Sequence, residues 1–322
     1  MKLAVITRPR RLPPGMNGDH LVAGFRSLGH EAELIPDGGD ASAADAALLL
    51  GGAHWYPGTW RLPRDRRPRI VLWHTEPLPL PSTAGLPLAR RHARELAKVV
   101  LRDSRRSDPR SNVHALRRVL RERLVDVVVV STFERKLFLA EQGLDVPFVP
   151  LGYDPVTHGR DRKRPRDVDV LFLGALDVPR RRRFFRRLED EGVAVRALGH
   201  WSDARLWGED RSELLNRTKI LLNLPRHPGM LSGGRMLLGM ANKALIVAEP
   251  IFQPRPYVPG EHYVSAAPDE MADVIRRYLD DEAARRAITE SAYAFVTKEL
   301  TLARSLARIA ELAATQAAEP SR

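Results

Sequence analysis

The 322-residue sequence predicts an α/β protein with two doubly wound parallel-sheet domains that face a central cleft. Short apolar runs alternate with helix-forming segments along most of the chain, and glycines follow several of the predicted helices. The runs are uniformly apolar, whereas a strand with one solvated face would alternate polar and apolar residues. They therefore indicate parallel strands covered on both faces by helices.

In the first half, strands are predicted at the apolar or β-branched runs 2–6, 31–35, 46–50, 69–73, 126–130 and 146–149. Helices are predicted at 19–28, at 88–124 with a break near 107–111, and at 133–142. Gly29 and Gly143 follow the first and last of these helices. Helices commonly end at a residue with left-handed backbone angles, and this residue is usually glycine. Strands and helices thus alternate, as in a doubly wound sheet.

In the second half, an Arg, Lys, Asp and Pro-rich stretch through Arg166 indicates a linker. Strands are predicted at 168–173, 193–198, 220–224 and 245–248, with helices at 180–191, 212–217, 235–243, 270–279, 282–295 and 300–314. The last helix places Leu302, Leu306, Ile309 and Leu312 on nearly one face, so it is expected to pack back across the domains. The predicted units are residues 1–152, 153–299 and a C-terminal helix with a short tail, 300–322.

Composition favours a folded cytoplasmic protein. Apolar residues make up 43% and charged residues 29% of the chain, which is ordinary for globular proteins. The amino terminus has too short an apolar run for a signal peptide, and no stretch approaches the roughly twenty apolar residues of a spanning helix. The absence of cysteine excludes disulfides and thiolate chemistry.

The formal charge of +12 is concentrated in one segment. Residues 86–125 hold twelve Arg or Lys against four Asp or Glu, a net charge of +8. Such a segment can lie on an anionic membrane or on nucleic acid, or it can be the solvated face of a helix pair. The general arginine excess is also typical of a GC-rich genome.

The stretch from Lys219 to Glu249 is the first candidate site. It reads as one unit of strand, loop, helix and strand, and its loop carries Ser232 and the paired Gly233 and Gly234 directly before Arg235. Ligands of open parallel sheets bind beyond the carboxyl ends of the strands, and a helix amino end preceded by glycines can hold an anion on free N–H groups. The loop therefore predicts an anion site.

Three segments of the second half resemble a known family, and they are LLNLPRHPGMLSGGRMLLGMANKALIVAEP, YVPGEHYV and DEMADVIRRYLDDEAARRAITESAYAFV. They are similar to the carboxyl domain of GT-B nucleotide-sugar glycosyltransferases, which have two Rossmann-like domains, and in particular to the branch of spore maturation proteins. In the first half, Gly29-His30-Glu31 and His74 after a strand look like parts of such enzymes. The resemblance implies an acceptor domain at 1–152 and a nucleotide-sugar donor domain at 153–299.

The resemblance further implies transfer of a hexosyl or related sugar from a nucleotide-sugar donor to an unidentified acceptor, with retention of configuration. Negative charge develops on the leaving diphosphate, and without a metal it is met by arginines and helix amino ends. Asp167 and Asp169 stand at the start of a strand, away from the expected cleft, and no second histidine has ligand spacing with His227, so no metal and no cofactor is expected. The implied donor-binding residues are Arg180, Arg181, Asn223, Arg226, His227, Ser232, Gly233, Gly234, Arg235 and Glu249. The alternative for Arg180 and Arg181 is a solvated charge run at a helix start.

The sequence departs from the family at two positions. Typical members have two glutamates eight residues apart around this loop and helix, and alignment to the strand 245–247 places them at Met230 and Leu238. Neither side chain can accept a hydrogen bond from a sugar hydroxyl, and Glu249 is the nearby carboxylate. Either the donor binds differently, or the protein is a catalytically silent scaffold or binding protein.

His74 and Glu76 are the catalytic candidates of the first half. The resemblance places a histidine at this strand end against the transferred sugar, and Glu76 could orient it or accept the acceptor's proton. An incidental His-x-Glu is the alternative. Asn17, Gly18 and His20 are candidate acceptor-binding residues, although a plain glycine turn before a helix explains them equally well.

Two partner hypotheses follow from the +8 segment. Peripheral contact of residues 86–125 with the anionic inner face of a membrane is compatible with a glycosyltransferase. Nucleic-acid binding ranks last, because basic and aromatic residues do not interleave on one strand face.

Overall fold

A computed structural model describes residues 1–8, 18–84, 108–176, 178–199 and 206–315. The chain forms two compact units. The first runs to Pro150 and includes the chain from Ser305 onward, and the second runs from Leu151 to Arg304.

The first unit contains a five-stranded parallel sheet of order β2-β1-β3-β4-β5. Its strands are β1 (Lys2–Thr7), β2 (Glu31–Pro36), β3 (Ala46–Leu50), β4 (Arg69–His74) and β5 (Val127–Val130). Its helices are α1 (Asp19–Ser27), α2 (Pro57–Arg61), α3 (Asp108–Arg121) and α4 (Phe133–Ala140), with 3₁₀ turns at Ala53–Trp55, Arg64–Arg66 and Ser82–Ala84. The central strands are buried on both faces, which explains their unbroken apolar sequences.

The second unit contains a five-stranded parallel sheet of order β10-β9-β8-β6-β7. Its strands are β6 (Val168–Leu173), β7 (Arg196–Leu198), β8 (Thr218–Asn223), β9 (Leu245–Ala248) and β10 (Val264–Ser265). Its helices are α5 (Pro155–His158), α6 (Pro179–Asp190), α7 (Gly208–Asn216), α8 (Gly233–Ala241), α9 (Met271–Asp280) and α10 (Glu282–Lys298). Helix α11 (Leu302–Ala314) begins in this unit and continues into the first.

Apolar packing in the second unit holds β6 and β8 in its middle. Phe172, Leu222 and Val247 are fully buried and share one cluster with Ile275 of α9. Burial of each such side chain contributes about 1.5–3 kcal/mol. The carboxyl ends of β6, β8 and β9 are thereby fixed beside one another.

The linker that starts the second unit is fastened to the beginning of α11. The N–H of Tyr153 donates to the carbonyl of Leu300 at 2.7 Å, and the N–H of Leu302 donates to the carbonyl of Tyr153 at 2.8 Å. Between them Gly152 passes so close to the backbone that a Cβ there would lie 2.3 Å from the carbonyl oxygen of Thr301. Only glycine therefore fits at this crossing.

The predicted α/β architecture with two parallel sheets is confirmed, and β3, β6 and β9 have the predicted bounds. The strand predicted at 146–149 is wrong, because this segment forms only a single bridge between Val130 and Phe148. Pro147 and Pro150 lack the N–H that a longer ladder requires. The strand predicted at 193–198 begins only at Arg196.

The basic segment 86–125 is described from residue 108 onward, where α3 lies, and the rest of it falls outside the described residues. Contact of this segment with a membrane stays a prediction. No helix in the described parts of the chain combines the length and the apolar composition needed to cross a bilayer.

Candidate functional site

Polar side chains gather where the strands of the second sheet end. Asn223 is the last residue of β8, Glu249 directly follows β9, and both are buried. Helices α6 and α8 begin beside these strand ends and bring Arg180, Arg181 and Arg235 to them. The predicted site residues at these helix starts and strand ends are therefore brought together.

Arg235 spans two strand ends. Its Nε donates to the carbonyl of Leu173 at 3.0 Å, and its Nη1 donates to Oδ1 of Asn223 at 2.7 Å. Burial lowers the pKa of Arg235 to about 9, and the positive charge of Arg181 adds to this effect. The guanidinium stays protonated at neutral pH, and no carboxylate in the described part of the chain lies within 4.0 Å of it. Arg235 is therefore a fixed cation without a carboxylate counter-ion among the described residues.

Arg181 is fixed in the same way. Its Nε and Nη2 donate to the carbonyl of Leu224, and its Nη1 donates to the carbonyl of Ala175 at 2.9 Å. The guanidinium carbons of Arg181 and Arg235 lie 5.1 and 5.2 Å from the ring centre of Phe172. Two cations thus share one aromatic side chain, which favours them electrostatically.

Arg180 pairs with Glu249. Its Nη2 donates to Oε1 of the buried carboxylate, and its Nη1 donates to the carbonyl of Pro225 at 3.2 Å. The second carboxylate oxygen, Oε2, is buried and has no hydrogen-bond partner in the structure. Since an unpaired buried oxygen is costly, a hydroxyl donor that reached Oε2 would remove this cost.

The start of α8 is open. A Cβ built on Gly233 or Gly234 meets no atom within 4 Å, and Ser232 at the N-cap makes no side-chain capping bond. The first N–H groups of a helix have no partner within it and carry its positive dipole end. Next to Arg235, this helix start is suited to an anion.

The loop before α8 places the remaining donor candidates. Arg226 is exposed and His227 is half-buried. Met230 and Leu238, where the resembling family has glutamates, are also half-buried, and Leu238 packs on the apolar cluster that contains Leu215 and Leu221. Leu238 is therefore accounted for by packing.

His74 lies deeper than predicted. It is the last residue of β4 and not the first residue beyond it, and it is fully buried. Neither ring nitrogen has a hydrogen-bond partner among the residues that the structure describes. Burial lowers the pKa of His74 to about 3, with smaller contributions from the charges of Arg135 and His54. The imidazole is neutral at neutral pH and offers one donor and one acceptor.

Arg8 and Arg135 lie close enough to Glu76 for its charge to act on them. Neither arginine was predicted from the sequence as a site residue. The guanidinium of Arg8 lies 3.0 Å from the ring centre of Trp55. Burial lowers the pKa values of both arginines, and the charge of Glu76 opposes this in each case. Arg135 could have been predicted from the sequence, because it stands in the first turn of the helix that follows the apolar strand β5. Arg180 and Arg181 stand in the same position after β6.

Two further buried atoms near β5 lack partners. Arg135 donates from Nη1 to Oγ of Ser131 at 2.7 Å, whereas its Nε has no acceptor. Oγ1 of Thr132 has no hydrogen-bond partner in the described segments either. Together with the nitrogens of His74, these atoms form a buried polar group at the carboxyl ends of β4 and β5.

The acceptor candidates are placed only in part. Gly18 is the N-cap of α1 with a φ of 97°, and a Cβ there would lie 3.0 Å from Leu34 and 3.1 Å from Val5. This glycine is required by the helix start. His20 is half-buried in the first turn of α1, and Asn17 lies outside the described residues. Within those residues, no group of three His, Asp or Glu side chains could hold a metal.

A family model described as glycosyl transferase-like matches residues 180–311, which include the arginines, the helix start and Glu249. Several solved structures are similar over most of this chain. The chain has the GT-B fold. The similar structures include those of Anabaena HepE in complex with UDP-glucose, AviGT4 and S. aureus TarM.

The GT-B neighbours share little sequence with this chain. HepE is 11% identical with a TM-score of 0.61, and the match covers 97% of this chain and 99% of HepE. AviGT4, a glycosyltransferase involved in avilamycin A biosynthesis, is 14% identical with a TM-score of 0.57 and covers 97% of each chain. TarM is 12% identical with a TM-score of 0.58, and the match covers 84% of this chain but only 55% of TarM. No curated protein sequence matches the chain.

Proposed function

We propose that the protein is a glycosyltransferase that moves a sugar from a nucleotide-sugar donor to an acceptor, with the donor bound by the second unit. The observation that carries this proposal is Arg235, a cation held at a glycine helix start without a carboxylate partner in the described part of the chain. The family model covers this position, and HepE, which has the same fold, binds UDP-glucose.

The donor diphosphate would lie at the start of α8. Its charge increases as the bond to the sugar breaks, so fixed cations stabilise the transition state more than the ground state. Arg235 and the N–H groups of Gly233 and Gly234 would meet this charge. Arg181 and Arg235 are already oriented by strand-end carbonyls, which reduces the reorganisation needed when the donor binds.

Typical members of the resembling family have carboxylates at the positions of Met230 and Leu238. Glu249 would replace part of their function, which is to accept hydrogen bonds from hydroxyls of the donor. Its Oε2 is buried without a partner, while Oε1 is held by Arg180. A ribose or sugar hydroxyl that donates to Oε2 would remove the cost of leaving this oxygen unpaired. Donor binding would thus differ from that of typical family members.

The acceptor half of the reaction would use the first unit. A neutral His74 would hydrogen-bond a sugar hydroxyl and not act as a cation, because its pKa is lowered to about 3. Glu76 would accept the acceptor's proton or orient the reacting groups. We further propose retention of configuration, no metal requirement, a hexosyl donor, a cytoplasmic location and membership of the branch of spore maturation proteins.

Calorimetric titration of the full chain with UDP, GDP, ADP, CDP and dTDP tests the proposal, each with and without EDTA. Binding of at least one diphosphate that is weakened by Arg235→Ala supports it, and equal binding in EDTA supports metal independence. If no diphosphate binds, the enzyme proposal fails. The alternative, a silent scaffold with this fold, is favoured by Met230 and Leu238. It predicts that a bound nucleotide-sugar is never hydrolysed or transferred.

A further inference from the structure

A second cluster of arginines lies in the first unit, at the amino ends of strands β4 and β5. A pocket of about 210 Å³ opens there, and its lining includes Arg64, Arg67, Arg69 and Asp126. Arg69 is the first residue of β4, and Asp126 directly precedes β5. The pocket is therefore at the amino ends of these strands, whereas His74 is at the carboxyl end.

The charges that line this pocket are not balanced. Three guanidinium groups face one carboxylate, so the lining carries a net charge of +2. Asp126 is already engaged, because its Oδ2 accepts from the N–H of Ile70 at 2.7 Å and its Oδ1 lies 3.6 Å from Nη2 of Arg64. Neither Arg67 nor Arg69 has a carboxylate within 4.0 Å in the described part of the chain.

Two of the guanidinium nitrogens are also unpaired. Nε of Arg67 and Nε of Arg69 are buried and have no hydrogen-bond acceptor in the structure. Ordinary surface arginines satisfy these groups with water, but a buried N–H without a partner is costly. The guanidinium of Arg67 makes just one hydrogen bond within the described residues, a long one of 3.5 Å from Nη1 to the carbonyl of Leu124. These two Nε atoms have no accessible surface, but the Nη groups of Arg69 are accessible and make no hydrogen bond within the described residues, so an oxyanion in the pocket would meet open donors there.

We propose that this pocket binds the phosphate group of a phosphate monoester. A monoester dianion matches the lining charge of +2, and arginine forks match the geometry of phosphate oxygens. Since a water molecule occupies about 30 Å³ of liquid, a pocket of about 210 Å³ admits a phosphate group and the first atoms bonded to it. The monoester is either a soluble metabolite or the headgroup of a lipid such as phosphatidic acid.

This pocket is separate from the candidate reaction site. Arg69 and His74 are the two ends of β4, and a strand rises by about 3.3 Å per residue, which puts them roughly 17 Å apart. The proposal therefore does not depend on glycosyl transfer, and the pocket is suited to anchoring or regulation of the unit.

Thermal unfolding and calorimetry of the full chain test the proposal, with inorganic phosphate as the probe and sodium chloride at equal ionic strength as the reference. We expect Arg67→Gln and Arg69→Gln each to weaken phosphate binding about tenfold or more. Arg66→Gln is the matched control, because Arg66 is exposed in the same turn and is not part of the lining. Circular dichroism without phosphate checks that each variant folds.

Three results would overturn the proposal. The first is that the protein does not bind phosphate, and the second is that Arg67→Gln and Arg69→Gln bind it as tightly as the wild type. The third is that Arg66→Gln weakens phosphate binding as much as the two lining variants do. Inorganic phosphate could also bind at Arg235 in the second unit, and Arg235→Ala controls for this. Arg67→Gln should weaken phosphate binding by the same factor whether or not Arg235→Ala is present. Vesicle sedimentation then separates the sources. Binding to phosphatidic acid but not phosphatidylcholine vesicles, lost in Arg69→Gln, supports the lipid headgroup, and phosphate binding without vesicle binding supports a soluble monoester.

Discussion

The guanidinium of Arg235 donates to the side-chain oxygen of Asn223 at 2.7 Å and so joins the start of α8 to the end of β8. The same guanidinium holds the end of β6 through the carbonyl of Leu173 at 3.0 Å. Its position is thus set by two strands of the sheet before any ligand arrives. A charge that is oriented in advance stabilises an anion without a reorganisation cost.

Replacement of Arg235 should weaken nucleotide binding strongly. Arg235→Ala removes a charge-assisted contact of about 1.5–3 kcal/mol, so the Kd for the preferred nucleoside diphosphate should rise about 10- to 100-fold. Arg235→Lys keeps the charge but cannot bond Leu173 and Asn223 together, so it should rescue binding only in part. Calorimetry measures both.

The matched control is Arg182→Ala on helix α6. Arg182 is exposed, and in the described part of the chain its side chain makes no hydrogen bond or ion pair. Its replacement should leave the Kd unchanged. Equal losses in both alanine variants would mean that general positive charge, and not the geometry of Arg235, binds the nucleotide.

The buried pair of Arg180 and Glu249 should couple energetically. Glu249→Ala leaves a half-buried guanidinium without its counter-ion, and the unfolding free energy should fall by about 2 kcal/mol. Arg180→Ala should cost a similar amount, and the double variant should cost less than the sum of the two. Urea denaturation measures all three variants. Strict additivity would contradict the pairing.

The sequence predicted the architecture because uniformly apolar strands and glycine helix ends are local signals. It did not predict that residues 146–149 would form only one bridge. The length of this pairing depends on which N–H groups of the segment would have to bond β5, and that is set by the tertiary structure. It placed Arg181 and Arg235 at the correct helix starts. Their carbonyl partners Leu224 and Leu173 were not predictable, because backbone acceptors carry no side-chain signature.

Gly152 should not tolerate even a methyl group. Gly152→Ala would bring Cβ to 2.3 Å from the carbonyl of Thr301 and 2.4 Å from the N–H of Leu302, so the linker would separate from α11. We expect a loss of about 2 kcal/mol or more in unfolding free energy. Gly234→Ala is the contrasting variant, because its Cβ meets open space within a helix.

Alanine at position 234 should stabilise the protein by up to about 1 kcal/mol, since alanine favours the helix. The added methyl should nevertheless weaken nucleotide binding, because it stands where the anion would approach the N–H groups. Denaturation and calorimetry on the same samples separate the two effects. Stability losses of equal size at positions 152 and 234 would disprove the distinction.

His74 should make the protein sensitive to mild acid. Burial lowers its folded-state pKa to about 3, below the value of about 6.5 in the unfolded chain. The neutral form is therefore favoured by folding, so this stability is complete above pH 6.5 and is lost as the pH falls towards 3. Linkage gives a loss of about 2 kcal/mol between pH 7 and pH 5.

Urea denaturation of the wild type and of His74→Gln at pH 7, 6 and 5 checks this expectation. The variant should be less stable than the wild type at pH 7, and its stability should change by about 2 kcal/mol less between pH 7 and pH 5. His114→Gln, at an exposed position of α3, is the control and should retain the wild-type pH dependence. Parallel pH profiles for the wild type and His74→Gln would mean that folding does not lower the pKa of His74, and the argument for its neutral role at a sugar hydroxyl would then fail.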